Sequence, residues 1–316
     1  MNMKIGILTS GGDAPGMNTC VARLVTSLCR RGHKVVGIMF GYKGLLEENF
    51  VPLTQESVQN ISYLGGSFLK SYRCPEFKTE AGVKKGVKVF KKHKFDAIIA
   101  IGGDGTLKGV KELNDAGVNV TFIPATIDND VMISEKSLGF DTAINNAVEA
   151  IDMIEQTMAT MDRGMVVETM GRDCSDIAIS CGLAVGATMI ITPESDLDFE
   201  HILQRLNKKM IAGDKTPIII VQEHVLDIDS LAKYLEQNTN IEFRSINLGY
   251  IQRGGAPTVA DRILAIKFAK CVVDSLERGE KNRCASILND EACVLSMKVI
   301  TKNAHKSSQY LVDFVD

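Results

Sequence analysis

Hydrophobic residues recur along the chain in two alternating patterns, short continuous runs and longer stretches with helical spacing. The continuous runs are rich in Ile and Val, which predicts buried β-strands. The predicted strands are Ile5–Thr9, Val35–Phe40, Ala97–Ile101, Val118–Ile123, Met165–Thr169, Thr188–Ile191, Pro217–Gln222 and Ser245–Leu248. The predicted helices are Met17–Arg31, Thr79–Lys92, Thr106–Ala116, Thr142–Met161, Ser175–Gly186, Phe199–Ala212, Ser230–Gln237 and Thr258–Arg278. Continuously apolar strands that alternate with helices predict an α/β fold with mainly parallel sheets covered on both faces.

Composition narrows the classes of function. The chain has 316 residues, of which 45% are hydrophobic, so it can bury a large core and is expected to form two lobes. A net charge of −3 and the absence of Trp argue against a nucleic-acid surface. No apolar stretch is long enough to span a bilayer, and a strand starts too early for a signal peptide. We therefore expect a cytoplasmic protein.

The cysteines and histidines are scattered and form no recognisable site. There are eight cysteines and five histidines, without a C-x-x-C pair or zinc-ligand spacing. The cysteines are expected to be small core residues in a reducing compartment. Neither a zinc site nor a Ser/His/Asp triad is predicted.

Glycine-rich segments follow two of the predicted strands, at the carboxyl ends where a parallel sheet binds its ligands. Residues 10–16 read SGGDAPG and residues 102–106 read GGDGT. Glycines at a strand-to-helix turn let backbone amides approach a phosphate, and the helix N-terminus adds partial positive charge. The second segment also contains an acid that suits magnesium. A plain tight turn is the alternative for the first segment.

Residues 124–130, PATIDND, follow another predicted strand. A core strand would not tolerate two carboxylates and an amide in consecutive positions, because buried unpaired charges are costly. The cluster is therefore expected where the strand ends. In extended backbone, Asp128 and Asp130 would point to the same side. Such a pair suits a proton-accepting base beside a magnesium-associated acid, and a helix cap or Asx-turn is the alternative.

Other candidates lie in turns and strand ends farther along the chain. Tyr42 follows the second strand, and Arg73 lies in a compact loop where its guanidinium suits a phosphate. An ordinary turn and a solvated arginine are the alternatives. The candidates in the second half are Met170, Gly171, Arg172, Glu223, Arg244, Tyr250, Gln252 and Arg253. Arginines at strand ends suit a phosphorylated substrate other than a nucleotide. Arg163 precedes its strand and so faces the opposite end, which suggests that it serves a neighbouring subunit.

Seven segments resemble the ATP-dependent 6-phosphofructokinase family of the short bacterial type. They are LTSGGDAPGMN (8–18), RCPEFKTEAG (73–82), IGGDGT (101–106), TIDND (126–130), GFDTA (139–143), VETMGR (167–172) and GYIQRGGAPTVADR (249–262). Their order and spacing across nearly the whole chain carry the resemblance. It implies two Rossmann-like three-layer lobes with the active site in the cleft between them. Residues 1–139 with 252–302 would bind the nucleotide, and residues 140–251 with 303–316 the sugar phosphate.

The resemblance implies transfer of the γ-phosphoryl group of MgATP to the 1-hydroxyl of fructose 6-phosphate, a step of glycolysis. Asp128 would be the base, Asp104 the magnesium ligand and Asp130 a supporting acid. The residues implied around the transferring phosphoryl group are Gly12, Arg73, Thr126 and Arg172. Those implied to hold ATP are Gly12, Tyr42, Arg73, Cys74, Gly103, Asp104, Gly105 and Thr106. Those implied at the sugar phosphate are Met170, Gly171, Glu223, Tyr250, Gln252 and Arg253, with Arg163 and Arg244 from a neighbouring subunit of a homotetramer.

Several positions bear on the donor and on regulation. Pyrophosphate-using relatives typically carry an aspartate at the position of Gly105 and a lysine at that of Ala125, so both residues favour ATP. Ala125 is usually glycine in ATP enzymes, and Tyr250 replaces a histidine that helps to hold the sugar 6-phosphate. The family's effector-site arginines correspond here to Ala22, Thr26, Leu64 and Glu155, and its effector-site acid to Thr188. The resulting hypothesis is that control by ADP or phosphoenolpyruvate is weakened or absent.

Two other functions are alternatives, and pyrophosphate as the phosphoryl donor is a third. The GGDGT segment also occurs in lipid and NAD kinases, but these are not expected to carry the TIDND, MGR and QRGG segments. A non-catalytic sensor of sugar phosphate or nucleotide would be consistent with the changes at Tyr250 and the effector positions. Retention of the acids and arginines at 73, 104, 128, 130 and 172 argues against it.

Overall fold

The structure, a computed structural model, describes residues 2–211, 216–298 and Val312. These residues form two compact units, the first comprising residues 2–142 and 253–298 and the second residues 143–211 and 216–252. Both units contain a mainly parallel sheet with helices, so the predicted α/β class is confirmed. The predicted lobe segments 299–302 and 303–316 lie outside the described residues, apart from Val312.

Strands and helices alternate as the hydrophobic pattern predicts. The strands are β1 (Lys4–Ser10), β2 (Lys34–Ile38), β3 (Phe50–Leu53), β4 (Ala97–Gly102), β5 (Val120–Pro124), β6 (Gly164–Thr169), β7 (Met189–Ile191), β8 (Ile218–Gln222), β9 (Phe243–Asn247), β10 (Arg283–Leu288) and β11 (Glu291–Ser296). The helices are α1 (Met17–Arg30), α2 (Gly41–Leu46), α3 (Glu80–Lys92), α4 (Asp104–Asp115), α5 (Phe140–Ala159), α6 (Asp176–Ala184), α7 (Phe199–Ile211), α8 (Ile228–Asn238) and α9 (Val259–Glu277). Among the described residues, every helix is too short or too polar to cross a bilayer.

The sheet of the first unit has the strand order β11-β10-β5-β4-β1-β2-β3, with antiparallel strands only at its two edges. The three central strands are buried almost completely because helices cover both faces. Their last residues lie side by side: Ser10 pairs with Gly102, and Gly102 pairs with Pro124. The segments that follow these strands therefore start at one edge of the sheet.

The sheet of the second unit has the order β7-β8-β6-β9, and all of its strands are parallel. Its core contains Val166, Ile219, Leu231 and Phe243. Thr169 pairs with Gln222, so the segments after β6 and β8 also start at the same edge.

The sequence pattern missed one helix and three strands. The ordinary turn that was the alternative at Tyr42 is wrong, because residues 42–44 lie in α2, which Phe40 enters with a left-handed φ of 60°. The strand β3 is short and contains a proline, which the alternation of apolar residues does not reveal. The hairpin of β10 and β11 mixes apolar residues with Cys, Ser and Glu, so neither strand reads as a continuous apolar run. The last residue of the predicted helix Phe199–Ala212 lies outside the described residues.

Candidate active site

Three loops meet at the carboxyl edge of the first sheet. They follow β1, β4 and β5 and carry residues 11–16, 103–106 and 125–130. The backbone amide of Ala125 donates to the carbonyl of Gly102 over 2.8 Å. A methyl group added at Gly103 would lie 3.3 Å from Cβ of Thr126. The second and third loops are thus in direct contact, as their predicted placement requires.

The first loop is a glycine turn held against an arginine. Gly11 has a φ of 86°, a left-handed conformation that glycine adopts without strain. A side chain at Gly12 would overlap the guanidinium of Arg253. Nη2 of Arg253 donates to the carbonyl of Asp13 over 3.2 Å and lies 3.6 Å from Oδ1 of Asp13. Arg253, expected to hold the sugar phosphate, is therefore placed on the glycine loop of the first unit.

The second loop opens α4 and presents an acid to solvent. Gly103 is the N-cap of α4, and Asp104 lies in its first turn. Oδ2 of Asp104 is 2.6 Å from Nζ of Lys108. The hydrogen bond to Asp104, the charge of Asp104 and, to a lesser degree, the charge of Asp130 raise the pKa of Lys108. Lys108 was not singled out from the sequence, although its i,i+4 spacing from Asp104 was available as a signal.

These carboxylates fit a magnesium ion that arrives with a phosphorylated ligand. Among the described residues, no group of three or more His, Cys, Asp or Glu side chains is arranged to hold a metal. Magnesium, however, is usually bound through one or two carboxylates together with substrate phosphates and water. Asp104, with Asp130 close enough to act on the same lysine, supplies that kind of donor set.

Tyr42 stabilises the second loop through a buried hydrogen bond. Its side chain is 5% exposed, and its hydroxyl donates to the carbonyl of Thr106 over 2.6 Å. The ring stacks on Phe77 at a centroid distance of 4.1 Å, and burial raises the pKa of Tyr42. Its hydroxyl is thus engaged by the protein. Cys74 caps the short 3-10 helix Pro75–Lys78, and Arg73, just before it, is exposed.

The third loop turns sharply between its two acids. Oγ1 of Thr126 accepts a hydrogen bond of 3.2 Å from the amide of Asp128, and Asp128 is 7% exposed. Asn129 has a φ of 54°. Because this backbone is left-handed, the extended geometry that predicted a shared face for Asp128 and Asp130 is wrong. The strand-end position predicted for the cluster is confirmed.

In the second unit, two buried or half-buried polar side chains hold the segment Met170-Gly171-Arg172. Oε1 of Glu223 accepts hydrogen bonds from the amides of Gly171 (3.0 Å) and Arg172 (2.8 Å). Oε1 of Gln252 accepts from the amide of Met170 over 3.2 Å. Arg172 is exposed and has a φ of 51°. The structure therefore brings Glu223 and Gln252 together with this segment.

Two arginines share one carboxylate at the opposite edge of the second sheet. Nε of Arg163 lies 2.6 Å from Oε2 of Glu242, and Arg244 pairs with Oε1 of the same residue. Arg244 lies in β9, beside Met165 near the amino ends of β9 and β6. Tyr250, in the 3-10 helix Gly249–Arg253, is 83% exposed.

The positions compared with the family's effector site include two that line a groove on the first unit. Ala22 and Thr26 lie on α1 beside a concavity of about 320 Å³, together with Arg23, Gln55, Glu56, Val58, Gln59 and Ser62. The groove contains one arginine and one glutamate, and is otherwise lined by uncharged side chains.

Glycine loops and acids at the carboxyl edge of a parallel sheet define an α/β protein built to bind phosphorylated ligands. Sequence comparison makes the class specific. The profile of the family described as Phosphofructokinase matches residues 4–276. The chain belongs to this phosphofructokinase family, as the segments quoted above predicted.

Curated relatives match over almost their whole length. A protein of Clostridioides difficile (strain 630) named ATP-dependent 6-phosphofructokinase is 42% identical over 314 residues, covering 97% of this chain and 98% of the relative. A protein of Bacillus licheniformis with the same name is 42% identical over 306 residues, covering 97% and 96%.

Solved structures share the fold. The phosphofructokinase of Saccharomyces cerevisiae superposes with a TM-score of 0.86 at 26% identity over 100% of this chain. The chain spans only 47% of that yeast chain. A pyrophosphate-dependent phosphofructokinase from Marinobacter aquaeolei has a TM-score of 0.85 at 19% identity, covering 98% of this chain and 86% of that one. The expectation of Rossmann-like α/β lobes of the phosphofructokinase type is confirmed.

Proposed function

We propose that the protein is an ATP-dependent 6-phosphofructokinase. It transfers the γ-phosphoryl group of ATP to the 1-hydroxyl of fructose 6-phosphate, giving fructose 1,6-bisphosphate and ADP in cytoplasmic glycolysis. The observation that carries this proposal is the convergence of the two glycine loops and the Thr126–Asp130 loop at one sheet edge. The names and near-complete coverage of the curated relatives support the same reaction.

The residues of the first unit have separate roles in phosphoryl transfer. Amides of the loops at Gly12 and Gly103–Thr106 bind the donor phosphates, with Arg73 offsetting their charge. Asp128, 7% exposed at the end of β5, accepts the proton of the attacking hydroxyl as a general base. Magnesium bound by Asp104, with Asp130 in support, would neutralise charge on the donor.

The residues of the second unit bind the sugar phosphate. Glu223 and Gln252 position Met170, Gly171 and Arg172 through backbone hydrogen bonds. Arg172 offsets the charge of the phosphoryl group during transfer. Tyr250 can donate one hydrogen bond to the sugar phosphate but carries no positive charge.

Sugar binding also requires a neighbouring subunit in this proposal. Arg163 and Arg244 share the single carboxylate of Glu242, so this group carries surplus positive charge that suits a phosphate. The two arginines lie at the amino edge of their sheet, whereas Met170–Arg172 follow the carboxyl edge. We therefore assign Arg163 and Arg244 to the site of an adjacent subunit within a homotetramer.

ATP is the proposed donor, and the usual effector control is proposed to be weak. A side chain built at Gly105 would meet nothing within 4 Å, so this glycine leaves space for a nucleotide. The groove beside Ala22 contains one arginine opposed by Glu56, which is a poor arrangement for a highly charged anion.

The test is ADP release by the purified protein with ATP, magnesium and fructose 6-phosphate. The Asp128→Ser variant is expected to lower kcat by roughly 10²–10⁴-fold while ATP binding is nearly unchanged. Asp115→Ser, at the exposed end of the helix α4, is the matched control and should keep wild-type turnover.

Replacing ATP with pyrophosphate should abolish turnover, and phosphoenolpyruvate should inhibit weakly and without cooperativity. Wild-type turnover in Asp128→Ser would remove that residue from its role.

A further inference from the structure

Asn129 lies between the two acids of the third loop but has no role in the proposed chemistry. It is 2% exposed, so its side chain is not available to substrate. Its φ of 54° makes it the left-handed residue of the loop. Asparagine tolerates this conformation better than most residues, because its short polar side chain can form local hydrogen bonds.

The side-chain amide of Asn129 connects the third loop to residues 135–137, which follow it in the chain. Oδ1 accepts hydrogen bonds from the backbone amide of Ser137 (3.0 Å) and from its hydroxyl (3.1 Å). Nδ2 donates to the carbonyl of Glu135 over 3.1 Å. The hydroxyl of Ser137 also lies 2.7 Å from the carbonyl of Thr126. One buried side chain therefore ties residues 135–137 back to the turn that carries Asp128.

Residues 134 and 135, which follow the third loop, are hydrogen-bonded to the hairpin of β10 and β11. The amide of Glu135 donates to the carbonyl of Ile287 over 3.0 Å, and the amide of Ile287 donates to Oγ of Ser134 over 2.9 Å. The carboxylate of Glu135 accepts from the amides of Asn289 (2.8 Å) and Asp290 (3.3 Å), at the tip of the β10–β11 hairpin. Asn129 thus connects the loop of Asp128 to residues that are hydrogen-bonded to the β10–β11 hairpin.

We propose that Asn129 is a positioning residue that sets the direction of Asp128 through Ser137 and Glu135. This inference rests on the proposed function of Asp128 as the base. A glycine at 129 would keep the left-handed backbone without strain but would lose the three side-chain hydrogen bonds described above. The substitution therefore separates the role of the side chain from the conformational preference of the backbone.

The experiment compares Asn129→Gly with Asn282→Gly. Asn282 has the same φ of 54° and directly precedes β10, at the opposite end of the sheet. Asn129→Gly is expected to lower kcat by roughly 10- to 100-fold, because small displacements of a catalytic group are costly. Its KM values for ATP and fructose 6-phosphate should change less than about twofold, since the groups that bind them are intact. Isothermal titration calorimetry of Asn129→Gly should still show one ATP bound per chain. This result would exclude a smaller folded fraction as the cause of the lower kcat. Asn282→Gly should keep the wild-type kcat.

Ser137→Ala provides a second route in case Asn129→Gly does not fold. It removes the hydroxyl but keeps the backbone amide, so we expect kcat to fall severalfold with normal ATP binding. The double variant should be slower than Asn129→Gly by less than the two single effects combined, because both changes remove the hydrogen bond between Ser137 and Asn129. A kcat within twofold of wild type in either single variant, or additive effects in the double variant, would overturn the proposal. A wild-type protein without fructose 6-phosphate kinase activity would instead overturn the proposed function.

Discussion

Gly105 is the residue at which a side chain would enter the space proposed for the phosphoryl donor. It is exposed, and a methyl group built there meets no atom within 4 Å. At Gly109, one turn along the helix α4, a methyl group would lie 2.6 Å from the ring of Tyr42. Packing against Tyr42 therefore explains the glycine at 109, whereas no atom within 4 Å requires a glycine at 105.

Gly105→Asp should change donor use without unfolding the protein. The added carboxylate repels the phosphates of ATP, so the KM for ATP should rise by at least about tenfold. The melting temperature should stay near that of wild type, because the side chain points into open space. Gly105→Ala adds volume without charge and is the control, expected to stay within a fewfold of wild type. An unchanged KM for ATP in Gly105→Asp would contradict the assignment of this loop to the donor.

At the scale of elements, a buried carboxylate joins the beginnings of two helices. Asp261, in the first turn of α9, is 1% exposed. It accepts hydrogen bonds of 2.9 Å from the amides of Gly139 and Thr142, at the start of α5, and another from the hydroxyl of Thr142. Thr258, the N-cap of α9, in turn donates to Asp141 over 2.6 Å. This network fixes the N-terminal ends of both helices.

The titration of Asp261 should make stability fall as pH rises. Burial raises the pKa of Asp261 above its ordinary value of 3.8, so the folded state keeps a proton that the unfolded chain has lost. The contribution to stability is therefore complete below pH 3.8 and decreases as pH rises through the folded-state pKa. The melting temperature of wild type minus that of Asp261→Asn should decrease over this range.

Asp227→Asn is the control with the opposite sign. Asp227 caps the helix α8 by accepting from the amide of Ser230, and its hydrogen bonds to Ser230 lower its pKa. The corresponding difference in melting temperature should increase as pH rises above the folded-state pKa. Parallel pH profiles for the two variants would show that Asp261 is not held as described.

Most elements could be predicted from apolar periodicity, and the exceptions have local causes. β3 has a proline in an edge strand, and α2 is a helix of six residues entered through a left-handed Phe40. Neither feature leaves a periodic pattern. Thr79 was included in a predicted helix but is its N-cap, accepting from the amide of Gly82 over 3.1 Å. Apolar periodicity alone does not distinguish the capping residue from the first residue of a helix.

At the scale of the whole molecule, complementation tests whether subunits share a site. Asp128→Ser and Arg244→Ser should each be nearly inactive alone. If Arg244 serves a neighbour, mixed oligomers contain sites with an intact Asp128 from one chain and an intact Arg244 from the other. Co-refolding equal amounts should restore roughly one quarter of wild-type activity, the share expected from random pairing. Activity equal to the sum of the separate variants would contradict a shared site.

The candidate site was predictable in its positions along the chain but not in its contacts. Strand ends and glycines located the loops because parallel strands end at one edge. The contact of Arg253 with Gly12 depends on residues that are distant in sequence. The hydrogen bonds of Asn129 depend on the left-handed conformation of its backbone. The extended geometry assumed for Asp128 and Asp130 was wrong because Asn129 has a left-handed φ.

The sheet of the first unit is built from two stretches of chain far apart in sequence. β10 places Cys284 beside Phe122 of β5. Residues 143–252 are synthesised before β10. Until residues 283–288 have been synthesised, β5 therefore has no neighbouring strand at one of its edges. An apolar strand with an unpaired edge is a template for aggregation. The nascent chain thus carries this hazard while residues 125–282 are being synthesised, and protection by chaperones would limit it.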